Sequence, residues 1–142
     1  MSLPDATVSQ NGKQALFGLK ITNNTDADIA LGTASFTLEG TYAFDPGDIF
    51  WVQQTTPVPP TTETDFIFTH ITDAPDNLSQ DLSADNITVP ANSVLYLFGL
   101  FVASGAAQPG TLVMSNIIDL TYPIFTGTVE DLQVSGATVT II

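Results

Sequence analysis

The chain has no cysteine and no arginine, and among its 142 residues it holds one histidine, one tryptophan, two methionines and two lysines. Without cysteine there are no disulfides, no thiolate zinc sites and no cysteine nucleophile. Lys13 and Lys20 stand against fifteen Asp and Glu, a formal net charge of −13. Nucleic acids and anionic lipid surfaces are bound through clustered basic residues that displace counterions, and two lysines make no cluster. Neither partner is expected. A Ser-His-Asp arrangement would have to use His70, which falls in the Phe66/Phe68 alternation, and no Gly-x-Ser-x-Gly elbow is present. One histidine without cysteines makes no ordinary zinc site, and no glycine-rich loop with a lysine opens a helix to cradle phosphate. Long apolar runs are missing too. The longest, residues 94–103, is about half of the roughly twenty residues that a membrane-spanning helix needs, so it reads as a buried strand without membrane insertion.

No basic segment followed by an apolar core succeeds Met1, so Met1-Ser2-Leu3 reads as a short added leader and residues 4–142 as one domain. A hydrophobic share of 44% with nine Phe argues for a folded chain despite the charge. A chain of this length buries roughly two thirds of its unfolded surface and supports one core. The surplus of carboxylates is tolerable where salt screens it, which suits an extracellular or cell-surface setting.

Thr, Val, Ile and Phe are abundant, whereas the usual builders of exposed helix are scarce. Period-two patterns recur between turn clusters, which predicts an all-β, antiparallel β-sandwich, Ig-like or jelly-roll-like, of about eight to ten strands. Residues 14–23 form a first strand with Ala15, Phe17, Leu19 and Ile21 on one face and Leu16, Gly18 and Lys20 on the other. Residues 29–38, 48–54 and 65–72 follow as strands, and residues 55–62, with Pro57, Pro59 and Pro60, as an extended edge loop. Residues 73–81 read as polar loop, 94–103 and 112–120 as strands, and 129–142 as one broken or two short strands around Ser135-Gly136.

Four kinds of site are candidates. Calcium, the one cofactor the composition favours, would take loop carboxylates, and Asp26/Asp28, Asp45/Asp48, Asp73/Asp76 with Asn77, and Asp81/Asp85 cluster in sequence. None has EF-hand spacing, and loop Asp is commonly a turn former. Trp51, alternating away from Phe50 and Val52 just before the proline-rich loop, is a candidate sugar-stacking platform with Tyr42; the alternative is that it closes the sandwich. In residues 94–103 both alternating sets are apolar, so Leu95, Leu97 and Phe101 need cover. It would come from a neighbouring domain, from a second copy in a homodimer, or from the C-terminal segment or the proline-rich loop. Paired carboxylates for glycoside hydrolysis are abundant by type, but a small sandwich seldom supplies the cleft they need. Sequons at Asn23, Asn77 and Asn86 are no more than a Thr- and Asn-rich chain produces by chance.

The run Gln14-Ala15-Leu16-Phe17-Gly18-Leu19-Lys20-Ile21-Thr22, then residues 31–40 with Phe36, then Pro46-Gly47-Asp48-Ile49, is similar to a β-sandwich domain that accompanies BNR-repeat sialidase-like proteins. That domain occurs in large secreted proteins of Bacteroidetes. Leu82-Ser83-Ala84 followed by residues 95–103 resembles the family's later pattern, and the resemblance covers residues 7–122. The chain departs from it at Phe101, near which family members usually carry an Asp, and in its scarcity of basic residues. The resemblance implies an accessory module with no catalytic residues to carry over. The expected function is therefore a non-catalytic spacer, adhesion or protein-interaction unit of a larger secreted or surface bacterial protein. The alternatives are a carbohydrate-binding module and a calcium-stabilised adhesion domain. Its partners would be neighbouring domains, a surface protein or a glycan.

Overall fold

The computed structural model describes residues 3–31, 33–41, 46–64, 66–71, 77–81, 87–114, 128–131 and 138–142. Two strands of eleven residues, β2 (Lys13–Asn23) and β9 (Ser93–Ala103), carry the strongest apolar patterns and pair antiparallel along almost their whole length. Pairing with β5 (Gly47–Gln54) covers the other edge of β9. Adding β6 (Phe66–Ile71) and β11 (Thr128–Asp131) completes a five-stranded sheet in the order β11-β2-β9-β5-β6.

The second sheet is made of β1 (Ala6–Val8), β12 (Val139–Ile141), β10 (Gly110–Met114), β4 (Thr33–Gly40) and β7 (Asn77–Asp81), in that spatial order. Every pairing in the two sheets is antiparallel except β1 with β12, which run parallel. A ribbon of two-residue strands, β3 (Ile29–Ala30) and β8 (Thr88–Val89), closes one end. Twelve strands among the described residues exceed the eight to ten expected because four of them are only two or three residues long.

One apolar core joins the sheets: Val8, Leu112, Val139 and Ile141 of one meet Leu19, Ile21, Ile49, Trp51, Leu95, Leu97 and Phe101 of the other. Burial of this kind is the main favourable term in folding and needs no crosslink at this chain length. Leu3, expected in an added leader, is itself buried.

Three expectations are corrected. Residues 29–38 do not form one strand: Leu31 donates its amide to the Ile87 carbonyl at 2.9 Å, and the chain divides there into β3 and β4. Residues 77–81 are not loop but the edge strand β7, paired with β4 from Thr33↔Asp81 to Thr37↔Asn77. Backbone pairing holds such an edge whatever its side chains, so the polar run Asn-Leu-Ser-Gln-Asp carried little alternating signal. The two-faced reading of residues 14–23 fails at a bulge between Ala15 and Phe17. The extra residue sends both Leu16 and Phe17 into the core and leaves Ala15 opposite Leu100, on the outer face of the sheet.

Candidate functional site

Trp51 is fully enclosed, and its ring meets Phe17 edge to face with centroids 4.9 Å apart. Both residues sit opposite Gly99, on either side of the central strand β9, so the two rings close over a position that has no side chain. A Cβ at Gly99 would lie 2.5 Å from Phe17 Cζ and 2.7 Å from Cδ1. Trp51 therefore offers no face to a sugar, which corrects the stacking-platform reading in favour of its alternative. Its suggested companion Tyr42 lies outside the described residues.

Leu95, Leu97 and Phe101, expected to need cover, face the second sheet and are buried within this chain. The burden falls instead on the opposite set. Phe98 and Leu100 are fully buried although they point away from the core between the sheets. The described segment that reaches over this outer face is 55–64, which leaves the end of β5 and brings Glu63 to Lys13 on β2, Nζ to Oε2 2.6 Å. Lys13 pairs with Val102 and so lies on the outer face. From β5 to β2 is two strand spacings, roughly 10 Å. The segment is thus a strap: its own Pro60 is buried, while its Val58 points out at 63% exposure.

The strap and the end of β5 line an open depression of about 710 Å³ whose walls include Gln53, Gln54, Thr56, Pro59 and Thr62. Its chemistry is that of hydroxyls, amides and proline rings. Lys13 holds the Glu63 carboxyl below its ordinary range, chiefly by donating a hydrogen bond and further by its charge; a backbone hydrogen bond acts the same way and burial opposes them. A lowered folded value means that the strap's anchor is at full strength above the ordinary carboxylate range and is lost as pH falls through the lowered value. Amide protection within 55–64, taken relative to the intrinsic exchange rate at each pH, is expected to fall in that acid window before global unfolding, and Glu63→Gln should show the lower protection already at neutral pH. Protection in the wild-type strap that does not change with pH through the window would refute the anchor.

Of the proposed calcium pairs, Asp26/Asp28 alone lies wholly within the described residues. Asp28 Oδ1 accepts the Ala91 amide at 2.9 Å, and Asp26 Oδ1 accepts from Asn92 Nδ2 at 3.1 Å. Both carboxylates thus tie the turn after β2 to the turn before β9. Asp48 is a half-buried strand residue of β5 opposite Val102, and Asp81 ends β7. Asn77, offered with Asp73 and Asp76, begins β7. Asp45, Asp73, Asp76 and Asp85 lie outside the described residues. Among the described residues no three His, Asp or Glu converge as a metal site.

At the centre of the two turns is Asn23, in the sequence the end of the first expected strand, the first of a run of turn formers and a sequon. Asn23 is buried, and its Nδ2 is 2.8 Å from the Ala27 carbonyl, 3.0 Å from that of Val89 and 3.1 Å from that of Pro90. Its Oδ1 accepts from the Thr25 amide at 2.9 Å and the Thr25 hydroxyl at 2.7 Å. A buried polar side chain survives only when its donors and acceptors are met, and here both ends are occupied. Asn92, in the left-handed region at φ 52°, lets its amide reach the Thr25 carbonyl at 2.9 Å. The signal was the Asn-Asn-Thr-Asp-Ala-Asp run, which marks a turn but does not say which Asn turns inward.

Fold and site together define an all-β sandwich whose outer face is crossed by a proline- and threonine-rich strap. The chain matches no protein-family model, and no curated protein or solved structure is significantly similar to it.

Proposed function

We propose that this domain is a non-catalytic module of a larger secreted or cell-surface protein, a spacer that holds its neighbours apart and presents an interaction surface. The observation that carries the reading is the parallel pairing of β1 with β12. Chain arriving at Ala6 and chain leaving Ile141 continue in opposite directions along the strand axis, so domains joined before and after are directed away from each other. The aromatic residues join in support: Trp51, Phe17, Phe98 and Phe101 are all spent on packing rather than on a ligand. With Lys13 held by Glu63, the acidic balance of the chain gives its surface the character of a solubilising linker domain. The partners of this reading are neighbouring domains of the parent protein and a surface protein or glycan met at the strap.

Small-angle scattering of the domain flanked by a compact reporter on each side tests the spacer role. An in-line particle close to the summed length of the three units is expected. Reporters lying side by side would sink the reading, as would turnover of a glycan or ester substrate by the isolated domain.

A further inference from the structure

We propose that the β1/β12 pair is a mechanical clamp and that the domain bears tension along its chain. The inference rests on the spacer reading, since tension reaches the domain only through attachments on both sides. Force applied before Ala6 pulls β1 backwards along its own axis, and force applied after Ile141 pulls β12 forwards along the same axis. Because the strands are parallel, the two pulls slide one strand against the other. The pairs Ala6↔Val139, Thr7↔Thr140 and Val8↔Ile141 are then loaded together rather than one after another.

The ends of the clamp are reinforced. At one, the Ala6 amide donates to the Thr138 carbonyl at 3.0 Å, and the Thr138 amide donates to Asp5 Oδ1 at 2.6 Å. At the other, the Ile142 amide donates to the Val8 carbonyl at 3.0 Å. Val8, Val139 and Ile141 are buried in the core, which keeps water from replacing the strained bonds on the inner side.

Both strands are anchored behind the clamp. On its far side β12 is paired to β10 from Gly110↔Ile141 to Leu112↔Val139. After β1 the chain turns at once, with Asn11 at φ 62° and the Gly12 amide donating to the Ser9 carbonyl at 2.8 Å. The turn is fixed to the central strand: Asn11 donates its amide to the Ala103 carbonyl at 3.1 Å, and Ala103 returns its own to Gly12 at 2.9 Å. Load passing through β1 is therefore handed to β9, and strand separation has to occur at the clamp first.

Because the chain has no cysteine, an introduced one gives a unique handle for single-molecule force spectroscopy. Handles at the first and last residues load the clamp in shear. Handles at Ser9→Cys and the last residue, both at the same end of the pair, unzip it bond by bond. Rupture in shear is expected at severalfold the unzipping force. Ala6→Pro, which removes the donor to Thr138, should lower the shear force towards the unzipping value and leave the unzipping force nearly unchanged. Equal forces in the two geometries, or β1 peeling away at low force before the rest yields, would overturn the clamp. An in-line scattering particle together with either of those results would leave the spacer reading standing and remove only the load-bearing one.

Discussion

Trp51→Ala is expected to destabilise the domain by about 3–5 kcal/mol, the range for deleting a large buried aromatic side chain. The residue is fully enclosed on β5, beside the central strand β9, and its ring makes the edge-to-face contact with Phe17. Its removal forfeits both the apolar transfer and the aromatic pair. Against a total stability of roughly 5–15 kcal/mol, such a loss leaves a marginal domain. Urea unfolding followed by far-ultraviolet circular dichroism measures it without needing the lost fluorophore. In the wild type, Trp51 emission should be blue-shifted, resistant to acrylamide and unmoved by oligosaccharides. A cost below about 1 kcal/mol would show that the ring is not the packing centre described above.

Gly99→Ala should cost about 3 kcal/mol, the upper end of what overpacking does, although alanine is the better strand former. The reason is local: the new methyl would enter the Phe17 ring, which is itself pinned by Trp51. A flexible side chain could swing aside; the enclosed phenyl ring of Phe17, on the interior strand β2, has nowhere to go. Phe17→Leu in the Gly99→Ala background should recover part of the loss, because the smaller side chain vacates the methyl's position. A double variant whose cost equals the sum of the two singles would argue against the collision.

Both results concern positions whose roles were only half legible beforehand. Phe17 and Trp51 were visible as strand residues from alternation, and Gly99 sat within the most apolar run of the chain. That the two rings close over the glycine follows from registers, Phe17↔Gly99 and Trp51↔Gly99, that join three distant segments. Local patterning holds no information about which residue will stand opposite which. The same limit explains the exchange of roles in β9. Two apolar faces were legible, but Leu95, Leu97 and Phe101 face the second sheet while Phe98 and Leu100 lie on the outer face that the strap crosses.

The candidate sites divide along the same line. A loop aspartate has the same composition whether it binds calcium or caps a turn. Asp26 and Asp28 proved to be acceptors for Asn92 and Ala91 only once residues 23–28 and 89–93 were brought together. The Lys13–Glu63 anchor spans fifty positions of sequence, and nothing near either residue announces the other.

By itself, then, the sequence determined the class. Alternation, frequent turn formers and scarce helix builders leave no economical structure but packed sheets, and the absence of cysteine excludes disulfides and thiolate chemistry. Tertiary structure alone decided the rest: the parallel β1/β12 pair, the ring pair over Gly99, the inward turn of Asn23 and the strap across the outer face. The physical reason is range. Strand propensity and turn chemistry act over a few residues, whereas register, burial and ion pairing depend on which distant segments the collapse of one core brings into contact.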